Sequence, residues 1–196
     1  CTHTTMHDFA SMRALPNLTI LAPCDAVQTE YLTDLLCQFT GPVYMRMGRG
    51  DVPPVYEAGE KFEIGKIKTV CEGTDATIIA CGEMVAPAKK AAELLQAEGI
   101  SVRVLDCFTI QPMDTKTVEK ALRETRAVVT VEEHSTRGGL GEAVSHIAAE
   151  LRGSAPMRLL GLPEEVVIGK SQELFAYYGL TPEGISAAIK ERLERE

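Results

Sequence analysis

Strand-length apolar runs alternate with amphipathic stretches of helix length from residue 75 to the end of the chain. The runs predict strands and the stretches predict helices, because the two structures bury side chains with periods of 2 and 3.6 residues. Strands are predicted at 75–82, 101–108, 127–134 and 157–163, and helices at 85–99, 114–125, 140–151 and over SQELFAYYG and TPEGISAAIKERLER. Strands that are apolar almost throughout, joined by helices, imply a parallel sheet covered on both faces. We therefore predict an α/β fold.

The first 47 residues show a shorter version of this pattern. A helix, a strand, a helix and a strand are predicted in turn, at 5–15, at 18–22, from Cys24 or Asp25 onward, and at 42–48. The segment GRGDVPPVYEAGE (48–60) then breaks the pattern and indicates a linker, and KFEIGKIKTVCEG after it is predicted as an antiparallel pair or an extended lead-in. Two strands cannot form a sheet covered on both faces, so we interpret this part as the last third of a larger α/β module.

Composition argues against several classes of function. The 196 residues carry a formal net charge of −8, so we expect no nucleic-acid partner, because nothing would release counterions from a phosphate backbone. The longest apolar runs are too short to span a bilayer, and no membrane association is expected. The six cysteines form no CxxC pair, which predicts a reducing, cytoplasmic location without a disulfide framework or a zinc site.

Cys1 stands where an initiator methionine is usual, and two interpretations follow. It is either a processed N-terminal nucleophile whose own amine acts as the base, or the point at which a longer chain was cut. N-terminal-nucleophile chemistry requires the first residue on a strand of a two-layer β structure. The residues after Cys1 instead predict a loop that leads into a helix, which favours the cut.

Three residues near the predicted sheet edge are candidates for chemistry. His3 in the opening loop could donate a hydrogen bond or shuttle a proton, because imidazole titrates near neutral pH. Arg46 and Arg49 lie around the C-terminal end of the strand predicted at 42–48, where ligands of α/β sheets bind. A guanidinium there could bind a phosphate or a carboxylate ligand, and a surface ion pair explains the two arginines equally well. His7 and His146 are expected to be structural or solvated.

The segment EEHSTRGGLG (132–141) is the densest group of polar residues and glycines. It follows a predicted buried strand and opens a helix, so Gly138, Gly139 and Gly141 could line a helix N-terminus that accepts an anion. A tight turn that needs small residues for close packing explains the same pattern. Neither a GxGxxG fingerprint nor a P-loop is present.

Four stretches, taken in order, resemble the C-terminal part of transketolase, particularly the C-terminal subunit of the split bacterial and archaeal type. They are THTTMHDFASMRALPNLTILAPCDAVQTE, GPVYMRMGRG, VEEHSTRGGLGEAV and YGLTPEGI. The resemblance implies that residues 1–55 are the end of a pyrimidine-binding module with a partial parallel sheet. It implies that residues 60–196 are the family's C-terminal domain, three α/β/α layers around a mixed, mostly parallel five-stranded sheet. Cys1 then falls where the family has the proline of its GPTH stretch, which favours a cut or a first ordered residue.

The resemblance implies transfer of a two-carbon ketol unit between sugar phosphates with thiamine diphosphate and Mg²⁺, a step of pentose phosphate metabolism. His3 matches a catalytic histidine beside the cofactor and the sugar hydroxyls. Arg49 matches the arginine that binds the substrate phosphate, where a fixed planar donor fork orients the remote end of the substrate. No residue of this chain is assigned to the metal or the cofactor.

The family's diphosphate-binding module, with its GDG…N motif, and the glutamate that activates the aminopyrimidine ring have no counterpart in this sequence. The chain alone is therefore expected to be inactive and to bind no cofactor. Its expected partners are an N-terminal transketolase section or subunit, a second copy in a homodimer, and sugar phosphates in the full assembly.

Two alternatives remain. Deoxyxylulose-phosphate synthase shares similar THH and PRG stretches, and the β subunit of 2-oxoacid dehydrogenases shares the architecture, although EEHSTRGGLG favours transketolase over both. The second alternative is a non-catalytic interaction or regulatory module that binds a partner or an anion at the GGLG turn.

Overall fold

The computed structural model describes residues 5–48, 50, 52–165 and 167–194. Cys1, His3 and Arg49 lie outside the described residues. The strands are β1 Thr19–Leu21, β2 Val43–Met45, β3 Lys68–Cys71, β4 Ala76–Ala80, β5 Val102–Asp106, β6 Thr109–Gln111, β7 Ala127–Ser135 and β8 Met157–Leu162. The helices are α1 Asp8–Arg13, α2 Ala26–Leu36, α3 Val85–Ala97, α4 Thr115–Glu124, α5 Leu140–Glu150, α6 Ser171–Tyr177 and α7 Pro182–Glu194, with a short 3₁₀ turn at Gly82–Met84.

The larger sheet has five strands in the order β3-β5-β4-β7-β8. Strands β5, β4, β7 and β8 are parallel, and β3 pairs antiparallel with β5 at one edge. The predicted mixed, mostly parallel five-stranded sheet is therefore confirmed. The segment KFEIGKIKTVCEG contributes a single strand, β3, at one edge of this sheet, and does not form an antiparallel pair within itself.

Strand β4 lies at the centre of this sheet, and all five of its residues are buried. Ile78 packs in one core cluster with α3 and α7, and Ile79 packs in the other with α4 and α5. Successive side chains of a strand point to opposite faces, so one apolar run supplies both cores. Each such side chain stabilises the fold by about 1.5–3 kcal/mol on burial. The result is the predicted three-layer α/β/α arrangement.

The smaller sheet has the order β2-β1-β6. Strands β1 and β2 are parallel, as predicted, but β6 comes from the C-terminal part of the chain and pairs antiparallel with β1. The sequence predicts one strand over 101–108, whereas β5 ends at Asp106 and the chain then crosses to the smaller sheet. The short strand β6 follows β5 after only two residues, so the apolar run gives no sign of a break. It pairs with the edge of β1, whose backbone groups would otherwise be unpaired.

Local capping settles the start of α2. The Asp25 carboxylate accepts a hydrogen bond from the Gln28 backbone N–H, so Asp25 and not Cys24 is the N-cap. Among the described residues, no helix has the length and apolar character that crossing a membrane requires.

Candidate active-site edge

The carboxyl end of β2 borders a cleft of about 1670 Å³. Strand β2 ends at Met45, earlier than predicted, and the residues after it leave the sheet and line the cleft. One end of the cleft is lined by Thr5, Met6, His7, Tyr44, Arg46, Met47, Gly48, Gly50, Glu83 and Glu133. Ligands of open α/β sheets bind at this edge, so the cleft is the candidate site.

Arg46 is held by two carboxylates. Its Nε lies 3.1 Å from Asp8 Oδ2, and its Nη2 lies 3.7 Å from Glu133 Oε2. The guanidinium also lies over the Phe9 ring, 5.2 Å from the centroid. Only 19% of the Arg46 side chain is exposed. Of the two roles that the sequence left open for Arg46, the structure shows an ion pair, and a largely buried one.

Asp8 connects α1 to β2 and to the C-terminal part of the chain. It lies in the first turn of α1, and its Oδ2 accepts a hydrogen bond from the Tyr44 hydroxyl at 2.9 Å. Its Oδ1 lies 3.9 Å from His134 Nε2. An acidic residue in the first turn also interacts favourably with the helix dipole. Asp8 Oδ2 is therefore bound by Tyr44 of β2 and by Arg46 just after it, and Oδ1 faces β7.

His134 packs as a neutral ring beneath α1. Its Nδ1 lies 2.6 Å from the Ser135 carbonyl oxygen, which only accepts, so Nδ1 carries the proton. The ring stacks on Phe9 with centroids 4.9 Å apart. Burial lowers the pKa of His134, partly opposed by the Ser135 hydrogen bond and by Asp8. The imidazole thus presents an unprotonated Nε2 toward Asp8 at neutral pH.

Glu132 occupies the N-terminus of α5. Its two carboxylate oxygens accept hydrogen bonds from the backbone N–H groups of Leu140 (2.7 Å) and Gly141 (2.8 Å). Burial raises the pKa of Glu132 to about 7 in spite of these bonds. A Cβ on Gly139 would overlap the same carboxylate. The sequence left open an external anion at the GGLG turn, but these two amides already bind the chain's own Glu132.

The GGLG turn also packs against α1. Arg13 donates hydrogen bonds to the carbonyl oxygens of Gly138 (2.6 Å) and Gly139 (3.1 Å). Gly138 has φ +76°, and a Cβ there would overlap Ala10 and lie 2.8 Å from its Cα. The structure therefore supports the close-packing explanation of the glycines.

The described charges at this end of the cleft are mainly acidic. Glu83, in the 3₁₀ turn, lies against Gly48, where an added Cβ would overlap its carboxylate. Burial raises the pKa of Glu83 and that of Glu133, and Arg46 opposes both shifts. With Asp8, three carboxylates surround the single guanidinium of Arg46. An anionic ligand would therefore need a further cation at this end of the cleft.

The described residues do not fit the diphosphate end of thiamine diphosphate. In the described ranges no three His, Cys, Asp or Glu side chains are placed to hold a metal ion. The Arg46 guanidinium, which would suit a phosphate, is bound to Asp8 and Glu133. We derive no step through the cofactor from these residues.

A second buried network joins the residues after β2 to the larger sheet. Asp25 Oδ2 accepts hydrogen bonds from the backbone N–H groups of Val55 (2.8 Å) and Tyr56 (2.9 Å). Gln28 Nε2 and the Tyr56 hydroxyl both donate to Asp106 Oδ2, at 2.7 and 2.8 Å. Asp106 is fully buried, and burial raises its pKa to about 7. The segment predicted as a linker is thus held by specific hydrogen bonds from both sides.

The two site residues named from the sequence, His3 and Arg49, lie outside the described residues and their roles stay predictions. Their described neighbours Thr5, Gly48 and Gly50 line the same cleft. His7 is exposed and lines the cleft, and the His146 side chain is 81% exposed, in agreement with a solvated role. Sequence reasoning missed a group of polar residues around Arg46, namely Asp8, Tyr44, Glu83, Glu133 and His134. The only available signal was that Glu133 and His134 end a buried strand.

Comparison with known proteins decides the family. Residues 65–185 match the model of the transketolase C-terminal domain, and residues 1–54 match that of the transketolase pyrimidine binding domain. The chain belongs to the transketolase family. The family predicted from four short stretches is therefore confirmed.

Several transketolase-family proteins match nearly the whole length of this chain. It is 45% identical over 196 residues to an apulose-4-phosphate transketolase subunit of Phocaeicola vulgatus, covering 99% of this chain and 62% of that protein. It is 40% identical over 197 residues to a putative transketolase C-terminal section of Methanocaldococcus jannaschii, covering 99% and 61%. A solved "split gene transketolase, inactive beta4 tetramer" superimposes with a TM-score of 0.89 at 40% identity, covering 98% and 62%. The chain thus spans about three fifths of the length of these relatives.

Proposed function

We propose that this chain forms the C-terminal part of a transketolase-type transferase and acts as one section of a larger assembly. The observation that carries the proposal is its end-to-end similarity to an apulose-4-phosphate transketolase subunit and to a putative transketolase C-terminal section. An N-terminal section would bind the diphosphate and the metal. Thiamine diphosphate with Mg²⁺ would supply the carbon–carbon bond chemistry in that assembly, and the chain alone would be inactive. The cytoplasm is the proposed location, and contact with a second copy is part of the same proposal.

In the proposed assembly, the cleft at the end of β2 is one edge of the active site. His3 would lie beside the cofactor and the sugar hydroxyls, and Arg49 would bind the substrate phosphate. The excess of carboxylates around Arg46 supports this assignment, because the Arg46 guanidinium is already bound to Asp8 and Glu133 and is not available to a sugar phosphate. Binding of the remote phosphate would orient the ketol unit for transfer.

The test is ketol transfer by an assembly that contains this chain, a complete pyrimidine-binding module and the diphosphate-binding section, with thiamine diphosphate and Mg²⁺. A ketose phosphate serves as donor and an aldose phosphate as acceptor, with each section alone as the blank. We expect transfer only in the mixture. Arg49→Ala should raise the KM for the phosphorylated acceptor about 10- to 100-fold, since a charge-assisted hydrogen bond to the phosphate is lost, and should change kcat less. His3→Ala should lower kcat.

Arg123→Ala, on α4 and remote from the cleft lining, is the matched control for loss of one arginine and should leave both constants unchanged. Absence of ketol transfer in the wild-type mixture would contradict the proposed function. Condensation of pyruvate with an aldose phosphate in its place would support the deoxyxylulose-phosphate synthase alternative.

A further inference from the structure

We propose that Asp8 and Arg46 are positioning residues that hold the two chain segments bordering the cleft, and that the C-terminal domain supports these segments through Glu133 and the Ser135 backbone. The inference rests on the proposed function in one respect, because it takes the cleft to be the active-site edge. It assigns to the C-terminal domain a part in the geometry of that edge.

The ion pair between Asp8 and Arg46 joins two particular segments of the chain. Asp8 comes five residues after His3, and Arg46 comes three residues before Arg49. The 3.1 Å contact between Arg46 Nε and Asp8 Oδ2 therefore joins the two segments that lead to both predicted site residues. The Tyr44 hydroxyl donates to the same Oδ2, so β2 and the residue just after it both bind the start of α1.

The side chains of Asp8 and Arg46 are largely shielded from solvent. Only 5% of the Asp8 side chain and 19% of the Arg46 side chain are accessible to solvent. A charge-assisted hydrogen bond shielded from water is strong, and loss of one partner leaves the other charge buried and uncompensated. This contact is thus unlike an exposed surface ion pair, which contributes little.

The C-terminal domain contributes contacts to both segments. Strand β7 ends beneath α1, and two of its residues bind the pair or its surroundings. Glu133 Oε2 lies 3.7 Å from the Arg46 guanidinium. The Ser135 backbone N–H donates to the Met6 carbonyl oxygen at 2.8 Å.

These contacts are made to residues on both sides of the cleft edge. Glu133 and Ser135 belong to a strand whose other end is buried in the five-stranded sheet, so they are held by a rigid element. A positioning pair supported in this way keeps the segments 5–8 and 44–48 at a fixed separation without contacting the substrate itself. Side chains that orient reacting groups need such support from a rigid scaffold.

The test compares Asp8→Asn, Arg46→Gln, the double variant and Glu133→Gln. The matched control is Glu124→Gln, which removes the 2.9 Å ion pair between Glu124 and Arg103 on the other side of the molecule. The first measurement is native-state hydrogen exchange of the purified chain, followed by mass spectrometry of peptides covering 5–13 and 43–48. We expect Asp8→Asn and Arg46→Gln each to accelerate exchange in both peptides about 10- to 100-fold. Glu133→Gln should give a smaller increase, and Glu124→Gln none.

The double variant separates a pair from two independent residues. If Asp8 and Arg46 act through each other, the double variant exchanges no faster than the more affected single variant. Additive acceleration, or acceleration confined to the peptide that carries the substitution, would overturn the proposal. Glu133→Gln keeps the pair itself and provides the test if the Asp8 variant fails to fold.

The second measurement is steady-state kinetics of the same assembly that tests the proposed function. We expect Glu133→Gln and Asp8→Asn to raise the KM for the phosphorylated acceptor by about 10-fold or more, with the midpoint of thermal unfolding in Glu133→Gln close to that of the control. Faster exchange with an unchanged KM in an active assembly would overturn the positioning role. Failure of the proposed function is distinguishable, because it appears as an inactive wild-type assembly whatever the exchange rates show.

Discussion

Asp106→Asn is expected to remove a pH-dependent loss of stability from this protein. Asp106 is fully buried at the end of β5, and its Oδ2 accepts hydrogen bonds from Gln28 and Tyr56. Burial raises its pKa from 3.8 to about 7, partly opposed by those two bonds and by the Cys24 thiol. An asparagine has the same shape and accepts the same hydrogen bonds, but carries no charge at any pH.

The sign follows from which state holds the proton. The folded state binds a proton more tightly than the unfolded state, so the stabilisation is complete below about pH 4 and is lost as the pH rises toward 7. A tenfold change in an equilibrium constant is about 1.4 kcal/mol, so the rise in the pKa of Asp106 from 3.8 to about 7 corresponds to about 4 kcal/mol in the free energy of unfolding. Between pH 5 and pH 8 the wild-type protein should lose about 2–3 kcal/mol through this group.

The assay is urea unfolding of both proteins at pH 5 and at pH 8, with the free energy of unfolding taken from the midpoint and the slope. From pH 5 to pH 8, the free energy of unfolding of the variant should rise by about 2–3 kcal/mol relative to that of the wild type. The contributions of all other groups cancel in this difference. Asp34→Asn, at an exposed position of α2, controls for the loss of one carboxylate. A difference between Asp106→Asn and wild type that is equal at both pH values would show that the Asp106 carboxyl does not titrate in this way.

Two further predictions concern the same buried contacts. Tyr56→Phe removes the hydroxyl that donates to Asp106 and should destabilise the protein by about 1.5–3 kcal/mol at pH 8 and by less at pH 5, where the carboxyl is protonated; equal losses at both pH values in urea unfolding would contradict this. Gly138→Ala forces a Cβ into α1 at φ +76° and should cost about 2–5 kcal/mol. Gly153→Ala, at φ +70° with open space around it, is the control and should cost only about 1–2 kcal/mol. Similar losses for the two glycines would show that packing against α1 is not the cause.

The elements of the larger sheet were predictable because each has a local signature. Strand β4 is an unbroken apolar run, and its central place in a parallel sheet follows from burial on both faces. Helix α2 begins after Asp25, which the sequence identified as one of two possible caps. The family was recognisable from the order of four short stretches, each one continuous in the chain.

The surroundings of Arg46 could not be predicted in the same way. Asp8, Arg46 and Glu133 are separated by dozens of residues, and nothing in the local pattern of any of them indicates that they meet. The GGLG turn was equally ambiguous, because an anion site and a close-packed turn require the same small residues. Only the position of Glu132 beneath the turn distinguished between them.

Periodicity and short continuous motifs were therefore enough to establish the α/β class, the mostly parallel arrangement of the strands and the family. The packed fold was needed to show that β6 crosses to the smaller sheet, that Asp106 accepts from Tyr56 and Gln28, and that Arg46 is bound to Asp8. The physical reason is that hydrogen bonds and ion pairs between distant segments depend on how the layers pack. Packing arises from the apolar surface of the whole chain and leaves no signature in any single segment.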